Sequence, residues 1–194
     1  LGRRHLEKMG VETTYVESVP ETDSERVLRN LARRGYDIIF TTSFGYMDPT
    51  LNVAKQFPDT IFMHASGFRT HDNMGNYFAR MYQARYLVGM VAGMMTKTDK
   101  IGIIGSHPIP EIIRHINAFT LGVRSVNPKA TTQVIWVNSW FDPAKEGAAA
   151  NSLMDNGADV VTITTDSAAA TQTAAKRGLY SIGNDSDMTL YGPE

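Results

Sequence analysis

The sequence contains no cysteine. Disulfide staples, Cys-ligated zinc, iron–sulfur clusters and a thiol nucleophile are therefore excluded. The compartment stays open, because a chain of this size can bury a core without staples. Charge of one sign is lacking too: 20 acidic and 19 basic side chains give a formal net charge of −1. That balance removes any global electrostatic case for nucleic acid or an anionic membrane surface. Long apolar runs are also missing. The uncharged stretch Tyr86 to Thr96 in the central helical segment falls far short of the ~20 apolar residues of a membrane span. Nothing reads as a signal peptide, and the first residue is Leu1 rather than Met.

What is present suits a globular α/β protein. A hydrophobic fraction of 42% over 194 residues supports a real core and one or two domains. Leu1, His5, Leu6 and Met9 form one helical face closed by Gly10, so the chain opens mid-pattern. Leu190 to Glu194 ends without a closing element, and the expectation is a fragment trimmed at both ends. Strands are expected at Val11–Val16, Asp37–Thr41, Thr60–His64, Ile101–Ile104, Thr132–Val137, Asp159–Thr164 and Leu179–Ile182. Helices are expected at Thr22–Arg34 (Thr22 or Asp23 as N-cap), from Asp48-Pro49, and at Arg80–Met95, Pro110–Val126, Pro143–Asn156 and Ser167–Arg177. His71 to Asn76 reads as a polar loop. Strands alternating with helices mean βαβ units and parallel sheets.

The lysine-rich break near residue 98 divides the pattern into an expected N-terminal lobe, 1–98, and a C-terminal lobe, 99–194. An internal echo supports two lobes: Leu31, Gly35, Asp37 and Thr42 recur at a constant offset as Leu153, Gly157, Asp159 and Thr164. The Met-rich helix between the halves (Met81, Met90, Met94, Met95) reads as a crossover whose methionines pack in a core.

Ligands of open α/β sheets bind at the carboxyl ends of the strands. The residues there include Phe44, Gly45, Tyr46, Ser66, Phe68, His107, Trp140, Phe141, Asp142, Asp166, Asp185 and Asp187, with no Lys or Arg among the strand-end loops. Anionic ligands normally need cations or a Gly-rich helix entry. Aromatic faces beside carboxylates suit a neutral, planar, donor-bearing ligand instead. Each residue also has a plainer role: Trp140 as a core cap, Asp142 as a helix N-cap, Asp185 and Asp187 as turn residues. Enzyme signatures are missing. Gly102 to Gly105 is half a dinucleotide fingerprint, and neither a phosphate loop nor a nucleophile elbow occurs. Histidines at 5, 64, 71, 107 and 115 lack the spacing of a helical metal pair, so no metal or cofactor is expected.

The runs Tyr86–Gly93, Ile101–Gly105, Asn117–Gly122, Trp140–Glu146, Asn156–Val160 and Gly183–Met188 resemble the basic membrane protein (PnrA-like) family, from about Gly35 to Asp187. These are substrate-binding lipoproteins of ABC importers for purine nucleosides and related compounds. The resemblance implies a type I periplasmic-binding fold, two doubly wound α/β lobes closing on the ligand, with a first strand before Leu1 and return segments after Glu194. It implies an extracytoplasmic, lipid-anchored monomer that delivers its ligand to a membrane permease. By motif, Trp140 resembles the aromatic that stacks on the purine, Phe119 a second pocket aromatic, and Asp185 or Asp187 the carboxylate facing ring nitrogens or sugar hydroxyls. Asp166 falls where the family has a Gly-rich loop. Ser66 falls where the family often has an Asp for ribose, which favours a free base such as adenine over a nucleoside. Two other classes compete: a ligand-sensing domain of a regulator or receptor on the same fold, and a purine- or nucleoside-processing enzyme.

Overall fold

A computed structural model describes residues 2–192. The chain forms two compact units, Leu1–Ala79 and Arg80–Glu194.

In the first unit, α1 (Gly2–Lys8) precedes an irregular stretch, α2 (Glu21–Arg33), β1 (Ile38–Thr41), a 3-10 turn (Phe44–Tyr46), α3 (Met47–Ala54), β2 (Ile61–Ala65) and β3 (Met74–Tyr77). The three strands are parallel in the order β1-β2-β3. Leu28, Ala32, Ile39, Leu51, Val53 and Phe62 form the core between α2, α3 and the sheet. Strand alternation buries Ile39 and Thr41 and leaves Ile38 and Phe40 exposed.

Four expectations need correction here. Residues 11–16 form no strand; a strand exists through its ladder, and this stretch belongs to neither sheet. Instead Thr14 to Val19 forms one wall of a groove of about 530 Å3, whose other walls are β1 and the Leu28–Leu31 face of α2. The segment expected as a polar loop is partly strand β3. A tight turn exchanging backbone hydrogen bonds between His71 and Met74 leads into it, and Asn73 Nδ2 lies within 3.0 Å of the carbonyls of Ala54, Phe57 and Thr60. A polar anchor does this work, so hydropathy misses it. Finally, α2 begins at Glu21 after Pro20, without a side-chain cap, and α3 begins at Met47, before Asp48-Pro49.

The second unit runs α4 (Met81–Met95), β4 (Lys100–Gly105), α5 (Pro110–Val126), β5 (Thr131–Trp136), α6 (Pro143–Asp155), β6 (Val160–Ile163), α7 (Ala169–Lys176), β7 (Tyr180–Ile182) and a 3-10 turn (Thr189–Tyr191). Its parallel strands lie in the order β5-β4-β6-β7. Helices cover both faces. Ile101, Ile103 and Val160 pack with Ala92, Phe119 and Val123 under α4 and α5. Ile104, Val161 and Ile163 pack with Ala150, Leu153, Ala170 and Ala174 under α6 and α7. Such double-sided burial explains why these strands read as continuous apolar runs.

The helix α4 belongs to this unit because it packs closely on α5. A Cβ on Gly89 would fall 2.2 Å from the Phe119 carbonyl oxygen, and one on Gly122 would fall 2.0 Å from that of Tyr86. The buried face of α4 is Arg85, Gly89, Ala92 and Gly93. Its methionines do not form a core: Met81, Met94 and Met95 are exposed. Small residues win that face because they let the two backbones approach.

Candidate functional site

In the second unit β4 leads into α5 on one face and β6 into α7 on the other, while β4 and β6 are neighbours. In open α/β sheets such a divergence at the carboxyl edge is where ligands bind. His107 follows β4 and Asp166 follows β6. Trp140 follows β5. Its ring lies 5.0 Å from that of His107, tilted by 56°, and its carbonyl accepts the Asp166 N–H at 2.9 Å. Trp140 and His107 are half-buried and Asp166 is exposed. Partial desolvation of its carboxyl, then the nearby carboxylates of Asp185 and Glu146, pushes Asp166 above its ordinary range.

The loops are tied from beneath by a residue whose role the sequence did not disclose. Glu146, on α6, is fully buried. One carboxylate oxygen accepts the hydroxyls of Thr165 at 2.7 Å and Ser167 at 2.6 Å; the other accepts the Asp142 N–H at 3.0 Å. It joins the β5 exit to the β6 exit. Asp142 caps α6 by accepting the Lys145 N–H at 3.0 Å. The β4 exit is fastened likewise, with Ser106 N–H donating to Thr164 Oγ1 at 2.9 Å.

The β7 exit carries Asn184, Asp185 and Asp187. Asn184 Nδ2 donates to Asp185 Oδ2 at 3.0 Å and lies 3.5 Å from the Thr165 carbonyl, bringing this loop to the same edge. Asp187 instead starts the final 3-10 turn. Its carboxylate accepts the Thr189 hydroxyl at 2.6 Å and N–H at 3.0 Å, which hold it below its usual range. Phe119 is set apart: it is 1% exposed and lies in the core under α4 and α5. Two further residues were not singled out by sequence. Arg85 of α4 reaches Asn184 and Thr162, and His115 of α5 is buried nearby, with Arg85, Ile103 and Phe119 lining the same small cavity. A charged residue on a helix face otherwise made of Gly and Ala was the available signal for Arg85.

In the first unit the exits of β1 and β2 form a second, separate edge. Phe44 and Phe68 rings lie 6.2 Å apart. Tyr46 donates its hydroxyl to the Val19 carbonyl, and a Cβ on Gly45 would strike the Glu21 carboxylate. Burial, then the charge of Glu21, pushes the Tyr46 hydroxyl up. Beneath the edge, Thr41 Oγ1 meets His64 Nδ1 at 2.9 Å. Ser66 turns the β2 exit at φ +61 and donates its N–H to Tyr77 O at 3.1 Å.

Four strand exits share a backbone feature: Ser43, Ser66, Asn138 and Asp185 are non-glycine residues at positive φ, between +51 and +128. Such conformations cost about 1–3 kcal/mol each and cluster at functional sites. Among the described residues no group of His, Asp and Glu could hold a metal ion.

Comparisons with known proteins agree on the family. Residues 2–194 match the family described as ABC transporter substrate-binding protein PnrA-like. A purine-binding protein of Brucella abortus is 53% identical over 185 residues, 95% of this chain and 53% of that protein. A Haloferax volcanii protein provisionally named an ABC transporter glucose-binding protein is 48% identical over 184 residues, 95% of this chain and 47% of its own. The chain thus spans about half the length of these curated relatives. An ABC transporter solute-binding protein from Conexibacter woesei superposes with a TM-score of 0.71 at 26% identity, over 98% of this chain and 66% of that one. A solute-binding protein from Aeropyrum pernix reaches 0.77 at 22% identity, over 94% of this chain and 55% of its own, a likeness of fold.

Proposed function

Because the chain belongs to the PnrA-like family of ABC transporter substrate-binding proteins and has their type I periplasmic-binding architecture, we propose that it binds a purine base, adenine foremost, for delivery to a membrane permease. The family is one of binding proteins, not enzymes. On this reading the protein works outside the cytoplasm as a monomer, lipid-anchored in its full form. Among the described residues no helix is long and apolar enough to cross a membrane.

The observation that carries the ligand class is the second unit's edge: Trp140 beside His107, with carboxylates from two neighbouring strand exits and no basic side chain in the loops. An aromatic plane offers stacking to a flat ring, and carboxylates accept from ring and exocyclic N–H groups. The exit loops themselves carry no Lys or Arg for a phosphorylated ligand. In the first unit, Phe44, Gly45, Tyr46 and Ser66, at the exits of β1 and β2, are further ligand-contact residues on this reading. Ser66 in place of a carboxylate lowers the affinity for ribose and favours the free base over the nucleoside. Phe119 acts from below by supporting the floor. The purine name of the Brucella relative supports the same class.

Calorimetry with the intact protein tests the preference: adenine binds more tightly than adenosine, and much tighter adenosine binding would refute the free-base assignment. Trp140→Ala weakens adenine binding by about 1–3 kcal/mol, the worth of base–aromatic stacking elsewhere. Unchanged affinity would return Trp140 to a core role.

A further inference from the structure

Arg85 is the one charged side chain on the buried face of α4, and it is 9% exposed. Its guanidinium donates to Asn184 Oδ1 and, at 3.5 Å, to Thr162 Oγ1. Among the described residues it makes no ion pair. Burial pushes its pKa down, and the negative charge of Asp185 pulls it back up. A cation this enclosed, with neutral acceptors as its direct partners, is costly unless the arrangement serves something else.

The chemistry of the partners sets a direction. A guanidinium only donates, so Asn184 must turn its oxygen inward. Its amide nitrogen then faces outward, donating to Asp185 Oδ2 at 3.0 Å and lying 3.5 Å from the Thr165 carbonyl. Asp185 is therefore gripped by one oxygen. Its other oxygen accepts no hydrogen bond from the described residues, and its backbone is held at φ +55 at the strand exit. Without the guanidinium, Asn184 could invert its amide and present an oxygen to a carboxylate, which would push Asp185 away.

We propose that Arg85 is a positioning residue for ligand recognition: acting through Asn184, it fixes Asp185 as a one-sided acceptor for an N–H-bearing ligand. The binding role rests on the purine reading; the relay itself does not. It gives α4, remote from the strand-end loops in sequence, control over the carboxylate that meets the ligand.

The test uses the intact protein with adenine as probe and Arg85→Met, Arg85→Lys, Asn184→Ala and the Arg85→Met/Asn184→Ala double variant. Each of Arg85→Met and Asn184→Ala weakens adenine binding about tenfold or more, and the double variant is no weaker than the poorer single. Arg85→Lys, which keeps a donor, recovers part of the loss. In the ligand-free protein, the Asn184 side-chain amide protons exchange slowly in the wild type and rapidly in Arg85→Met. Additive losses, or full adenine affinity in either single variant, overturn the binding role. Unaltered Asn184 amide exchange in Arg85→Met overturns the relay. If the wild type binds no adenine, the purine reading fails, and the exchange measurement alone still decides the relay. Should Arg85→Met not fold, Asn184→Ala in the half-buried exit loop carries the affinity test.

Discussion

Glu146 shows how one buried residue organises a set of strand exits. Its carboxylate takes three hydrogen bonds from the β5 and β6 exits, and removing an acceptor strands buried hydroxyl donors. Glu146→Gln should lower stability by about 1–3 kcal/mol, read as a shifted midpoint in denaturant unfolding; an unshifted midpoint would contradict the brace. His115 gives a pH signature. Burial, then the charge of Arg85, pushes it down to about 4 from 6.5, against a raising effect of Asp185. Between those values the unfolded chain takes up a proton that the folded chain refuses. Stability therefore falls as pH drops from 6.5 towards 4, by about 1–2 kcal/mol after allowance for solvent screening. His115→Gln should remove this component from unfolding curves taken across that range; an identical acid slope in the variant would exclude His115 as the cause. At this scale the sequence showed the strand-exit residues, because they follow apolar runs. It did not show Glu146, Arg85 or Asn184 in their roles, since each depends on a partner distant in sequence: Thr165 lies 19 positions from Glu146, and Arg85 and Asn184 lie 99 apart.

Among the elements, the pairing of α4 with α5 is the most demanding. Gly89 and Gly122 each sit against the other helix's backbone, where even a methyl group would collide with a carbonyl oxygen. Gly89→Ala should cost about 1–3 kcal/mol through forced separation of the helices, measurable by thermal unfolding; neutral behaviour would mean that the contact is loose. The small residues of α4 were visible in the sequence, yet the methionines beside them drew the core assignment. Side-chain size misleads where backbones must touch. The echo between the halves has a structural counterpart: Gly35 and Gly157 both end helices at positive φ, +81 and +95. The second copy gains a further task. Asp159 accepts the Thr96 hydroxyl at 2.6 Å and the N–H groups of Lys97 and Thr98 at 2.6 and 3.1 Å. Burial raises its pKa, and these bonds outweigh that and hold the carboxyl low. The lysine-rich stretch expected as a lobe boundary is thus anchored to β6.

For the whole molecule, alternation of strands and helices was enough to foresee an α/β fold with parallel sheets, and the family motifs pointed to its architecture. The Val11–Val16 stretch and β3 were misread because pairing partners and polar anchors, not alternation, decide whether a short extended segment becomes a strand. The ligand is the open choice at this scale. Trp stacking and carboxylate acceptors serve sugars as well as purines, and the two similar curated relatives carry purine and glucose names. Calorimetric titration of the intact protein with adenine and, separately, with glucose decides between them. Saturable one-to-one binding of adenine with no heat from glucose is the predicted result; saturable glucose binding with none of adenine would contradict the assignment.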